Sequence, residues 1–255
     1  MAKSSSSAGT ALLLTCGARA FFCDGLFPKC PVIWVGSHEN RLGRGACCES
    51  VDTEVRRLLR SSGRRLAVVA VDEDMLAQFQ KLGWQPWCYV VSKPVSDVAP
   101  QEREVKIREI QSGDLPWIKD QFCKAISLGL PEQLKNAYSP TDMKTMTIKR
   151  LNEISSADNL CIVAHVREKR IGYALTSFAH NYCHLHEVYS DRESGVHGCG
   201  EALSSFVAFA SHLKKRPMLR GSVSVTSGNR PDLVWPSILG NGWKIRTAYA
   251  TLATE

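Results

Sequence analysis

Residues 187–203, EVYSDRESGVHGCGEAL, run an apolar strand into a Gly-x-Gly turn and the turn into a helix. Free backbone N–H groups at a helix N-terminus, with glycines that let the chain close in, form a cradle for a phosphate group. A weaker copy lies at residues 32–51, VIWVGSHENRLGRGACCESV. Cys199 sits inside the second turn, where a helix N-terminus lowers a thiol pKa, yet no His or acid is placed by the sequence to activate it. His184 and His186 alternate along a strand and share a face, but two imidazoles fall short of a metal site and no third ligand follows at a telling spacing. His197 reads either as a phosphate contact or as an exposed loop residue.

The elements that carry these residues follow from periodicity and punctuation. Residues 92–104, SKPVSDVAPQERE, read as a linker between a first unit, 1–91, and a second, 105–255. In the first unit the pattern predicts a strand at Val32–Val35, a turn at Gly43–Gly45 and a helix carrying Cys48, Val51, Val55, Leu58 and Leu59. A strand at Leu66–Val71 follows. Asp72 then caps a helix through Leu82, closed by Gly83, and a last strand spans Trp87–Val91. Residues 1–30 receive no firm elements. The second unit opens with a strand at Val105–Ile110 and a helix N-capped by Asp114, with Pro116 in its first turn. Helices at Pro131–Tyr138 and Asp142–Ile154 lead to a hairpin, Leu160–Val166 and Ile171–Phe178, turning at Arg167–Arg170. Next come a strand at Leu185–Tyr189, the Gly198–Gly200 turn and a helix with Ala202, Leu203, Phe206, Phe209, Ala210 and Leu213 on one face. Strands at Val223–Thr226 and Trp243–Leu252 complete the chain. Gly43 and Gly198 lie 155 residues apart, and the two Gly-Trp pairs, Gly83-Trp84 and Gly242-Trp243, lie 159 apart. The same order of elements therefore occurs twice, the first copy incomplete.

The second unit resembles the general-control-type N-acetyltransferase (GNAT) superfamily. The resemblance rests on Glu187-Val188-Tyr189, Gly198-Cys199-Gly200 and Ala202-Leu203 as strand end, glycine motif and first helical turn. Residues 105–120, VKIREIQSGDLPWIKD, resemble the family's opening strand and helix, and the first unit's DEDMLAQFQKLGW, residues 72–84, its late helix. It implies an α/β fold with a mixed sheet, GNAT-like, present as a partial first copy and a full second one. It further implies an acetyl-CoA-dependent N-acetyltransferase acting by direct attack of an amine, with acetyl-CoA as co-substrate and no metal. The pyrophosphate would rest on the amides of Val196, His197, Gly198, Cys199 and Gly200, and in the first unit on the turn at Arg41–Gly45, chiefly Gly43, Arg44 and Gly45. Glu187 stands where some members keep a catalytic base; the other reading is a solvated strand residue. The motif's usual Gln or Arg is Gly195 in one unit and Asn40 in the other. The usual Tyr acid aligns with Phe79 in the first unit and near Pro236 or Ile238 in the second. Tyr189 and Tyr249 read first as core or strand packing, with replacement of the missing acid as the other role open to each. These departures leave a second reading, a degenerate GNAT-like module that binds acyl-CoA or a protein partner.

Bulk properties set outer bounds. The chain has 255 residues, a formal charge of +7 and ten cysteines without a CxxC pair, which suits free thiols in a reducing compartment. The basic residues are spread out and lack an aromatic-rich RNA motif, so nucleic acid is not an expected partner. No apolar run reaches a membrane span. A cytoplasmic protein is expected. The alternative is a mitochondrial one, because the first 23 residues lack acids and are rich in Ser. The expected acceptor is an amine on a small molecule or protein, and a homo-oligomer would cover the edges of an incomplete first sheet.

Overall fold

The computed structural model describes residues 10–13, 19–24, 31–35, 44–62, 66–95, 105–155, 159–226 and 240–253, with backbone only for the first three segments, for 44–47 and for Arg192. Among the described residues the chain forms eleven strands and six α-helices. In order they are β1 (Thr10–Leu13), β2 (Arg19–Asp24), β3 (Pro31–Val35), α1 (Arg44–Ser62), β4 (Leu66–Val71), α2 (Glu73–Lys81), β5 (Gln85–Pro94) and β6 (Lys106–Glu109). Then follow α3 (Leu115–Gly129), α4 (Glu132–Ala137), α5 (Pro140–Ile154), β7 (Cys161–Val166), β8 (Lys169–Phe178), β9 (Tyr182–Ser190), α6 (Cys199–Leu213), β10 (Met218–Ser224) and β11 (Lys244–Ala253). All the strands join one sheet in the order β1-β2-β3-β4-β11-β5-β10-β9-β8-β7-β6.

Two pairs are parallel, β3 with β4 and β9 with β10, each joined by a helix crossover. The strands closing the two halves change places. β5 lies between β11 and β10, and β11 lies between β4 and β5. The described strands of both halves of the chain thus share one sheet. In register, Val223 faces Tyr89 and Leu219 faces Lys93, which puts α6 on the same face as α1 and α2. The opposite face carries α3, α4 and α5, packed on Leu66, Val68 and Trp87 at one end and on Cys161, Tyr173 and Leu175 at the other.

Local chemistry explains the elements. Every residue of β4 is buried, as a central strand with helices on both faces requires. Asp72 caps α2 by accepting from the Met75 amide at 2.8 Å, and Gly83 takes the left-handed conformation that ends it (φ 90°). Trp84, just beyond, donates Nε1–H to Asp52 at 2.8 Å and so ties that end to α1. Several boundaries differ from the sequence reading. β5 continues to Pro94 and the Val95 amide bonds Pro217 O, so the first residues of the expected linker belong to the sheet. α5 starts at Pro140 because Ser139, not Asp142, supplies the cap. β10 covers Met218–Ser224 instead of Val223–Thr226, because pairing on both edges overrides the weak alternation of MLRGSVS. Strands β1 and β2 occupy a stretch that the sequence left unassigned.

Asp114 holds the N-cap position of α3, as expected, but makes no side-chain cap bond there. Its side chain is buried and accepts from Arg108 (2.6 and 3.0 Å), Arg170 (2.7 Å) and the Gln111 amide (2.8 Å), joining β6, β8 and the 3-10 turn before α3. The hydrogen-bonded Arg108 guanidinium is the largest influence holding its carboxyl well below the usual range, against the opposing effect of burial.

Gly172 of β8 is required by close approach. A Cβ there would lie 2.7 Å from Cys199 Sγ, 2.7 Å from Tyr189 O and 3.1 Å from Leu203 Cδ1. Gly172→Ala is therefore expected to destabilise the fold by about 1–3 kcal/mol through overpacking. A lowered urea midpoint at unchanged slope would show it, and an unchanged midpoint would mean that α6 shifts without strain.

Candidate functional site

β9 and β10 pair only from Tyr182–Leu185 against Met218–Gly221. Beyond that point β9 continues to Ser190 and β10 to Ser224 without pairing to each other, so two parallel strands diverge and open a wedge. The N-terminus of α6, with its turn at Gly198, follows the end of β9. Backbone groups left unpaired along a splay, and a helix N-terminus at its mouth, are the features that bind an extended amide chain ending in phosphates.

A bulge sits where the splay opens. Leu175 of β8 faces Glu187, and Thr176 faces Leu185, so His186 is the extra residue in β9. Strict alternation would put His184 and His186 on one face and Glu187 and Tyr189 on the other. The bulge shifts the phase by one, and all four turn toward α3 and α5. Tyr189 stacks on Tyr173 (5.4 Å between centroids, 19°), and Trp117 of α3 meets both rings edge-on at 5.7 and 5.9 Å.

Glu187 is half-buried by area, yet enough protein crowds its carboxyl for desolvation to push its pKa up to about 7. Among the described residues it has no hydrogen-bond or ion-pair partner. Tyr173 is fully buried and its hydroxyl has no partner there either. Its pKa rises through burial and, secondarily, through the charge of Glu187. The Tyr189 phenol is likewise raised, chiefly by burial. The site therefore holds a carboxylate poised near neutrality beside two protonated phenols, a pattern suited to removing one proton and supplying another.

The glycine turn is built as its spacing implies, with qualifications at each end. Gly198 is the N-cap of α6 at φ 76°. Gly200 has no positive φ, and a Cβ there would come no closer than 3.8 Å to Ser190, so neither conformation nor packing demands a glycine. The Val196 amide is already engaged by Ser194 Oγ at 3.3 Å, which leaves the cradle to His197 through Gly200. The His197 side chain is exposed. Cys199 is not a nucleophile in this fold. Its side chain is buried against β8, and burial raises its pKa more than its surroundings lower it. Tyr249 packs edge-on against Trp87 at 6.2 Å within an apolar cluster, in keeping with its packing reading. Of the first-unit residues, Arg44 and Gly45 begin α1, whereas Gly43 lies outside the described residues, as do Pro236 and Ile238. Phe79 is buried against Trp84.

His184 and His186 form a contact pair, ring centroids 4.4 Å apart. His186 Nε2 lies 2.7 Å from Ser177 Oγ, and its Nδ1 lies 3.4 Å from the Arg150 guanidinium. Burial, helped by nearby positive charge, pushes His184 down to about 4 and His186 down to about 3, so both rings stay neutral at pH 7. Among the described residues no group of three or more His, Cys, Asp or Glu side chains could hold a metal ion, and no helix is long and apolar enough to cross a membrane. Tyr173, Trp117 and the two arginines near the histidines escaped the sequence reading. The Tyr173–Tyr189 pairing across the β8–β9 hairpin was the one available signal.

No protein-family model matches the sequence, and a search of curated proteins finds no match. Solved structures do match. A GCN5-related N-acetyltransferase from Sphaerobacter thermophilus superposes with a TM-score of 0.56 at 13% identity, over 92% of this chain and 75% of that one. Another from Kribbella flavida gives 0.55 at 9% identity, over 96% and 89%. A conserved protein of unknown function from Staphylococcus epidermidis gives 0.58 at 12% identity, over 98% and 95%. At such identities the likeness is one of fold.

Proposed function

We propose that this chain, which has the mixed α/β fold of the GCN5-related N-acetyltransferases, is an acetyl-CoA-dependent N-acetyltransferase. The observation that carries the reading is the position of Glu187, a carboxylate with a pKa near 7 at the point where β9 and β10 part. In this reading the thioester arm of acetyl-CoA lies along the splay, and its pyrophosphate lies on the amides of His197, Gly198, Cys199 and Gly200. Glycines and the helix dipole favour that placement. Glu187 takes a proton from the acceptor ammonium, directly or through one water. The freed amine attacks the thioester carbonyl, the nitrogen of the tetrahedral adduct gives its second proton to water as the C–S bond breaks, and the amide and the CoA thiolate are left. Tyr189 is the donor that returns a proton to the thiolate, a role open to it because its raised pKa keeps the phenol protonated. Tyr173 stacks beneath it and holds its ring. The β3–α1–β4 crossover repeats β9–α6–β10, which supports a tandem reading with the first copy as structural partner.

Calorimetric titration with acetyl-CoA tests the reading, with desulfo-CoA as a control. Saturable binding at one site per chain, abolished by Gly198→Glu, is the expected result. No heat and no rise in melting temperature at millimolar cofactor would overturn it. Binding without turnover on any amine would leave an acyl-CoA-binding module.

A further inference from the structure

One buried polar group of the site has no part in the transfer steps above. Tyr173 of β8 is fully buried, and its hydroxyl oxygen is sealed from solvent without a hydrogen-bond partner among the described residues. A phenol left unbonded in an apolar cluster costs stability, and native interiors keep few such groups. Its ring is fixed in place. Tyr189 stacks on it at 5.4 Å, Trp117 of α3 meets it edge-on at 5.7 Å, and Ile118, Phe122 and Leu151 belong to the same cluster. A sealed oxygen on a fixed ring is satisfied only by a neighbour that moves to it.

Three polar groups act on that hydroxyl. Glu187 of β9 has the largest electrostatic influence among them, followed by Tyr189 and by Cys123 of α3. Tyr189 is held in the same ring stack, and a thiol is a weak acceptor. Glu187 has neither limitation: it is half-buried, has a flexible stem and is itself without a partner among the described residues. Register sets the two side chains close together. Leu175 faces Glu187 and Tyr173 faces Tyr189, so Tyr173 is the diagonal neighbour of Glu187 on the same face of the sheet. Diagonal pairs lie about 7–8 Å apart, within reach of aromatic and long side chains. No cation competes for the carboxylate. Arg220 lies over the Tyr182 ring at 4.8 Å and Arg150 lies 3.4 Å from His186, while burial alone, and no neighbouring charge, shifts Glu187.

We propose that Tyr173 is a positioning residue for Glu187: its O–H donates to the ionised carboxylate and so aims that base at the acceptor ammonium. The aiming rests on the transfer reading above; the hydrogen bond does not. The bond forms as the carboxyl loses its proton, because an ionised acceptor takes a hydrogen bond about twice as strong as a neutral one. The phenol keeps its proton throughout, and Glu187 remains the group that takes one from the ammonium. With one carboxylate oxygen bonded to Tyr173, the other stays open to the substrate.

Tyr173→Phe tests the bond, since it removes one oxygen and keeps the ring stack. The rising limb of the rate against pH is expected to lie about one pH unit higher in the variant than in the wild type. Plateau kcat should fall by about 3- to 10-fold, with KM for acetyl-CoA within about twofold. A ring that only packs would move neither the limb nor kcat. Stability supplies a readout that needs no turnover. A bond to the charged form stabilises the fold only once Glu187 ionises. The melting temperature of Tyr173→Phe, relative to the wild type, should therefore drop by about 2–5 °C between pH 5 and pH 9. In a Glu187→Gln background the same substitution should give a difference that does not vary with pH, which excludes Cys123 and Tyr189 as the titrating partner. A limb that stays in place overturns the inference and leaves the transferase standing. So does a melting difference equal at the two pH values, or one whose pH dependence survives Glu187→Gln. Should no amine be acetylated, the melting comparison decides alone, and a pH-dependent difference that needs Glu187 sustains the bond while the transfer reading fails.

Discussion

Glu187→Gln is expected to lower kcat by about 10²- to 10⁴-fold, the usual contribution of a positioned general base, while acetyl-CoA affinity stays within about twofold. The substitution keeps the shape and removes only the proton acceptor. The wild-type rate should rise with pH through about 7, as burial sets the carboxyl there, and the variant should lose that limb. Stability moves the other way. The unfolded chain ionises Glu187 near the ordinary carboxylate value, while the folded one resists until about pH 7. The group therefore works against folding progressively between those two values, and at a constant level above them. The variant at pH 8 should melt no lower than the wild type. A turnover loss accompanied by a lower melting temperature would assign Glu187 to structure, and undiminished turnover would remove it from the mechanism.

Asp114→Ala should produce the largest loss of stability of any single change considered. It leaves Arg108, Arg170 and the Gln111 amide without their acceptor, and breaking a buried ionic group from one side costs about 3–5 kcal/mol. Both guanidinium groups keep over a third of their surface in water, which places the expectation near the low end, about 3 kcal/mol. For a chain of this size that is a fall of roughly 6–12 °C in melting temperature. Because the folded carboxyl sits below its unfolded value, its contribution is complete above about pH 4 and fades as pH falls below that. Asp114→Asn should therefore be less stable than wild type at pH 7 and approach it in acid. Equal denaturant midpoints at pH 7 would show that the arginines find other partners.

Much of the scaffold was legible because local rules and tertiary demands agree. Leu66–Val71 is a six-residue apolar run that a central strand needs, and DEDMLAQFQKLGW carries its own cap, amphipathic stripe and stop. The glycine turn after an apolar strand marked the end of β9. What stayed hidden depends on pairing between distant segments. In CHLHEVYS the bulge at His186 leaves only a small trace, the adjacent polar pair His186 and Glu187 where the alternation breaks. Only register against β8 shows that the histidines and Glu187 share a face. Arg220 looks like any polar strand residue until the β9–α6–β10 crossover sets it beside His184. Asp114 has the local signature of a helix cap, and Arg170, 56 residues away, decides otherwise.

The exchange of β5 and β11 has a consequence for biosynthesis. The slot between β4 and β5 is filled by Lys244–Ala253, and 149 residues lie between Pro94, where β5 ends, and Lys244. At a ribosomal pace of about 5–20 residues per second, roughly 7–30 s pass before the filling strand begins to be made. Through that interval the nascent chain holds two apolar strand edges apart or lets them meet each other or a neighbouring polysome's copy. A premature stop codon within β11 would injure the amino-terminal part of the molecule, far from the lesion in the message. Chaperone demand should fall on the emerging chain well before its last residues leave the exit tunnel.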